Sequence, residues 1–190
     1  SSQPDLEAIR QVGLDEGRHL TAAAALFRAA GFAVPELTAG GTPSGPYAAT
    51  VPGITEIRPG TYVFSDRNQV KTGWGDLDGC ALRVRVTVVS RPTPTRALID
   101  AGAKTLSSDG AIRDTGHGAF PGHPEYALAR ISEEHGVMSI PADTDLPIGT
   151  QLDVIPNHAC VCLNLHDQVA AVRGDMVQEI WTVAARGRVR

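Results

Sequence analysis

Leu82-Arg83-Val84-Arg85-Val86-Thr87-Val88 alternates apolar and polar side chains without a break. Successive side chains of a strand point to opposite faces, so this stretch predicts a strand with Leu82, Val84, Val86 and Val88 against a core and Arg83, Arg85 and Thr87 in water. Toward the C-terminus, further strand-like runs stand at residues 96–100, 126–134, 151–155, 168–172 and 176–185, separated by Gly, Pro and Asp. Many short strands at such spacing predict a mainly β domain over residues 51–190, a small barrel or sandwich with its own core. Toward the N-terminus the period changes. Over residues 5–30 Leu6, Ile9, Val12, Leu20, Ala24, Leu26 and Phe27 recur at helical spacing, which predicts one or two helices, with Gly31 as the stop. A short buried strand is expected over residues 32–38, so residues 1–50 read as a short α/β segment. The loop that follows, residues 39–46, is too rich in Gly and Pro for regular structure, and its position after a strand is where α/β folds gather ligands.

The chain has 190 residues, 42 % hydrophobic and 20 % charged, which fits one globular domain or one and a fragment. No apolar run approaches the roughly 20 residues of a membrane helix, and no basic-then-apolar export signal opens the sequence; a cytoplasmic protein without a membrane partner is expected. Three cysteines cannot all pair internally, in keeping with a reducing compartment. The net charge of −4 and the lack of a Lys/Arg cluster speak against nucleic acid as a partner and for a small-molecule substrate.

The densest group of metal-competent side chains is Pro-Asn-His158-Ala-Cys160-Val-Cys162, followed by His166 and Asp167. On a strand, or a turn leaving one, His158 and Cys160 share a face, and imidazole nitrogen with thiolate sulfur suits a borderline-soft ion such as Zn²⁺. Two protein ligands leave coordination positions open, which is the catalytic kind of site. The same letters also describe a buried cysteine and a hydrogen-bonded histidine at a strand end. Cys162 sits among apolar neighbours and reads as a buried thiol. Gly40, Gly41 and Thr42 form a candidate phosphate cradle, because glycine lets backbone N–H groups approach an anion; a tight turn explains them equally well. Ser132-Glu133-Glu134-His135 and the loop histidines His117 and His123 are read as solvated turns, and Lys104 as structural.

In order along the chain, GGTPS, ITEIRPGTYVFSD, ALIDAGAKTLSSD, RISEEHG and PNHACVCLNLHD resemble the D-threonine aldolase and D-serine dehydratase family, alanine-racemase-like enzymes of fold type III, over roughly residues 29–185. The resemblance implies a lyase that acts on D-hydroxy amino acids with pyridoxal phosphate and a divalent metal, Zn²⁺ or Mn²⁺. It places the last helix and strand of the cofactor barrel at 1–50, with Gly40, Gly41 and Thr42 on the cofactor phosphate, and the C-terminal β domain at 51–190, with His158 and Cys160 as metal ligands. Dehydratase-like members carry H-x-C and aldolases often H-x-D, so Cys160 leans toward a dehydratase. The family's cofactor lysine falls upstream of Ser1, matching neither Lys71 nor Lys104. No catalytic residue is therefore assignable, and an N-terminal barrel half and a homodimeric partner are expected. A non-catalytic metal- or partner-binding β module and an amino-acid racemase of the same fold type are the alternatives.

Overall fold

A computed structural model describes residues 6–111 and 116–188. The helical period near the N-terminus is one helix, α1 (Leu6–Ala29), carrying the ion pairs Glu7–Arg10 at 3.1 Å and Asp15–Arg18 at 3.0 Å on its surface. It ends at Gly31, where Phe32 N–H donates to the Phe27 carbonyl at 3.0 Å and closes the last turn. The strand expected over residues 32–38 begins later. Residues 32–37 have no regular structure, and β1 (Thr38–Gly40) pairs in parallel with β2 (Glu56–Arg58). Pro35 has no N–H to give a ladder, and the N–H of Leu37 donates to the Thr55 hydroxyl at 2.9 Å. The loop after β1 leads into a single helical turn, α2 (Gly45–Ala48).

The alternating stretch opens the β domain. β3 (Val84–Thr93), β4 (Arg96–Ile99), β5 (Gly118–Ala119), β6 (Ala127–Ile131), β7 (Gly136–Ser139) and β8 (Gln151–Pro156) form one antiparallel sheet in the order β5-β8-β3-β4-β7-β6. Its two edges meet where His117 N–H, just before β5, donates to the Leu128 carbonyl of β6 at 3.0 Å. The sheet is thus a nearly closed six-stranded barrel. Val86, Val88, Ile99, Leu128, Met138 and Val154 fill it. The face assignment of β3 holds for Val86 and Val88, which are buried, while Leu82 precedes the strand and is half-buried.

The run expected over residues 126–134 ends as a strand at Ile131, and residues 132–135 are the turn into β7. There Glu133 and Glu134 pair with Lys104 at 3.0 and 2.8 Å on the surface. The last two runs form a separate hairpin of β9 (Gln168–Arg173) and β10 (Met176–Thr182). Of the basic tail, residues 189–190 lie outside the described residues. No helix among the described residues is long and apolar enough to cross a membrane.

Candidate metal and phosphate site

The H-x-C pair stands where β8 leaves the barrel. Pro156 is the last residue of the strand, and Asn157 and His158 turn the chain into α5 (Ala159–Asn164), with His158 extended at its N-cap. The pair is therefore on a turn leaving a strand, one of the two expected settings, but the chain runs on as a helix. That separates the two cysteines, because positions two apart on a helix face different ways. Cys160 is exposed. Cys162 is buried, its thiol donating to the Thr105 carbonyl at 3.2 Å, and burial pushes that thiol up to about 12.

Each residue of the turn is held from a distant part of the sequence. Asn157, 1 % exposed, donates through its amide to the carbonyls of Asp109 and Gly116, both at 2.9 Å, and accepts from the Arg67 guanidinium at 3.1 Å. Asp66 is equally buried. One of its oxygens accepts from Gln69 N–H at 2.9 Å, capping α3 (Arg67–Lys71), and the other accepts from Ala159 N–H at 2.9 Å, at the start of α5. His158 Nδ1 lies 2.6 Å from Asp109 Oδ2, and the Thr61 hydroxyl lies 3.6 Å from the Cys160 sulfur. A carboxylate only accepts, so in the neutral imidazole Nδ1 carries the proton and Nε2 keeps its lone pair. An imidazole so oriented beside an exposed thiol fits a borderline-soft divalent ion. Among the described residues no group of three or more His, Cys, Asp or Glu side chains gathers to hold a metal.

The second candidate, the loop after β1, is joined to this rim. Thr42, 4 % exposed, accepts from Tyr62 N–H at 3.2 Å through its hydroxyl oxygen, and Tyr62 directly follows the threonine beside Cys160. The Thr42 hydroxyl keeps its own proton to donate. Gly41 has φ +85°, and a Cβ there would stand 2.7 Å from the Ser44 hydroxyl oxygen, so only glycine keeps the loop in this shape. Gly40 N–H points at Glu16 Oε1, 3.2 Å away on α1. Gly13 of α1 allows the helix this close, since a Cβ there would meet the Ser44 carbonyl at 2.4 Å. Gly41 and the Thr42 hydroxyl fit an anionic group.

The other sequence candidates are engaged elsewhere. Asp167 pairs with Arg186 at 2.9 Å, His166 bonds the Thr105 carbonyl at 3.1 Å, and His123 stacks on Tyr126 with ring centroids 4.4 Å apart. Hydrogen bonds that Lys104 donates first to Glu134 and then to Glu133 raise its ammonium, the reverse of what a nucleophilic lysine needs. A surface recess of about 450 Å³ lined by Arg91, Pro94, Thr144 and Leu146 lies at the far end of β3 from the pair. Sequence reading missed Asp66, Asp109, Asn157 and Thr61. Asp66 had a signal: Asp-Arg-Asn-Gln over 66–69 is the spacing of a capping box. The other three had none.

The barrel matches the C-terminal domain of alanine-racemase-like enzymes. D-threo-3-hydroxyaspartate dehydratase from Delftia superposes with a TM-score of 0.85 at 30 % identity over 93 % of this chain and 51 % of that one. D-threonine aldolase from Filomicrobium marinum gives a TM-score of 0.87 at 28 % identity over 100 % and 52 %. The dehydratase is also known as a cysteine-to-alanine mutant in the metal-free form and as a histidine-to-alanine mutant two positions earlier.

Residues 81–172 match the putative serine dehydratase domain. D-threonine aldolase of Arthrobacter is 34 % identical over 86 % of this chain and 43 % of its own length. An uncharacterized protein of Mycobacterium tuberculosis is 40 % identical over 66 % of this chain and 98 % of its own. The chain belongs to the D-threonine aldolase and D-serine dehydratase family, as its C-terminal portion, and spans about half the length of its aldolase and dehydratase relatives.

Proposed function

We propose that this chain is the C-terminal part of a lyase that acts on D-hydroxy amino acids with pyridoxal phosphate and a divalent metal, Zn²⁺ or Mn²⁺. The observation that carries the reading is the rim itself: His158 with Nε2 presented, Cys160 exposed, and the Thr42 loop tied to the same segment through Tyr62 and Thr61. The histidine and cysteine replaced in the Delftia dehydratase have the spacing of His158 and Cys160, and that cysteine mutant was solved in a metal-free form, so the same pair is the one singled out for its metal chemistry, which supports these two residues as ligands here. Residues 1–50 are assigned to the end of the cofactor barrel and residues 51–190 to the domain that carries the metal.

When bound, pyridoxal phosphate supplies an electron sink for the α-carbon and the metal supplies a Lewis acid toward the β-hydroxyl of the substrate. This chain's residues hold and orient. His158 and Cys160 bind the ion and leave it positions for the substrate oxygen. The Thr42 hydroxyl donates to the cofactor phosphate, and Gly41 keeps the loop open for it. Asp66 and Asn157 fix the turn on which His158 and Cys160 stand.

The test is turnover by the whole natural polypeptide with D-serine, D-threonine and D-threo-3-hydroxyaspartate, with pyridoxal phosphate and zinc or manganese supplied. A keto acid with ammonia marks dehydration, and glycine with an aldehyde marks aldol cleavage. Either activity should disappear in Cys160→Ala and on chelation. No turnover of any of these substrates, or turnover indifferent to both treatments, contradicts the proposal.

A further inference from the structure

We infer that Asp109 is the positioning residue of the metal pair: its carboxylate accepts a hydrogen bond from the Nδ1–H of His158 and thereby fixes Nε2 as the nitrogen that binds the ion. The inference rests on the reading of His158 as a ligand. It starts from the 2.6 Å contact between His158 Nδ1 and Asp109 Oδ2, made between side chains that are 40 % and 44 % exposed. A half-buried pair at that distance persists only if the backbone delivers it, because two free side chains lose rotamer entropy in meeting.

The backbone does deliver it. The Asp109 carbonyl is tied to the buried amide of Asn157, the residue before His158, and its N–H donates to the Ser107 hydroxyl at 3.2 Å. Ser107 holds φ +69° and ψ 167°, a region that is essentially glycine-only and strained for a residue with a side chain. The loop after α4 (Ala103–Leu106) is thus pinned on both sides of Asp109, through a strained residue, with its carboxylate on one nitrogen of one histidine. A histidine that binds metal through one nitrogen needs its other N–H held in this way, or the ring flips and the tautomers mix.

Two measurements on the protein test this. The ¹⁵N shifts of the His158 ring, recorded without metal at a pH where the imidazole is neutral, report which nitrogen carries the proton. Zinc affinity by competition with a chromophoric chelator reports the consequence. Wild type should show the Nδ1–H tautomer; Asp109→Ala should lose it and bind zinc about 10–100-fold more weakly, with unchanged circular dichroism. Asp109→Asn keeps an acceptor oxygen and should recover part of both, which also covers a failure of the alanine variant to fold. An Nδ1–H tautomer that survives in Asp109→Ala, or an affinity within about twofold of wild type in that variant, overturns the inference. Failure of the underlying reading looks different: wild type and His158→Ala then bind zinc equally, whatever the tautomer.

Discussion

The barrel wall and the rim at the end of β8 are both buried, and they are built in opposite ways. Val86, Val88, Ile99, Met138 and Val154 are at most 1 % exposed and apolar, held by shape. Asp66 and Asn157 are just as buried and polar, held because each polar atom has a partner. The wall tolerates error in degree, whereas the rim tolerates none in kind, since a buried polar group without its partner costs its full desolvation. This contrast explains how a half-buried histidine and an exposed cysteine can be oriented at all: the groups behind them are fixed.

The largest effect should come from the wall. Met138→Ala should lower stability by about 2–5 kcal/mol in urea unfolding, with the site's metal affinity unchanged once the protein is folded. If its cost falls below that of any rim substitution, the barrel core is not the main support. Asp66→Ala comes next. It strips the cap from α3 and leaves the Ala159 N–H without its partner, at about 1–3 kcal/mol, and unlike Met138→Ala it should also weaken zinc binding because α5 loses its anchor. Equal zinc affinity in the two variants would erase the distinction between wall and rim.

A smaller and sharper contrast lies within α5. At mildly alkaline pH the Cys162 thiol, raised to about 12, stays protonated, and burial likewise raises Cys80; Cys160 is exposed. Of the three thiols, Cys160 alone should alkylate in the native protein, and zinc should protect it. Native labelling at Cys162, checked by peptide mass, would mean that α5 does not hold its two cysteines on different faces.

The same contrast decides what the sequence disclosed. The wall is local: period-two alternation at 84–88 forces a strand with one buried face, and similar runs supply most of the barrel. The histidine and cysteine were visible as a short motif, though whether they sat on a strand or entered a helix was not. Their supports come from far away: Asp109 is 49 positions from His158, Asp66 93 from Ala159 and Thr61 99 from Cys160. No periodicity spans such distances, so only the folded barrel brings them together. The late start of β1 had a local cause, Pro35, which the apolar run around it masked.

Zinc content after dialysis, for wild type, Cys160→Ser and Cys160→Asp, tests the metal-binding rim most directly, with circular dichroism alongside. Wild type should retain zinc, Cys160→Ser should lose it with stability within about 0.5 kcal/mol of wild type, and Cys160→Asp should bind with a preference shifted toward Mn²⁺. Acid should release the ion as both ligands take up protons. Zinc retained unchanged by Cys160→Ser, or a barrel that unfolds when the metal is removed, would contradict an open metal site on His158 and Cys160.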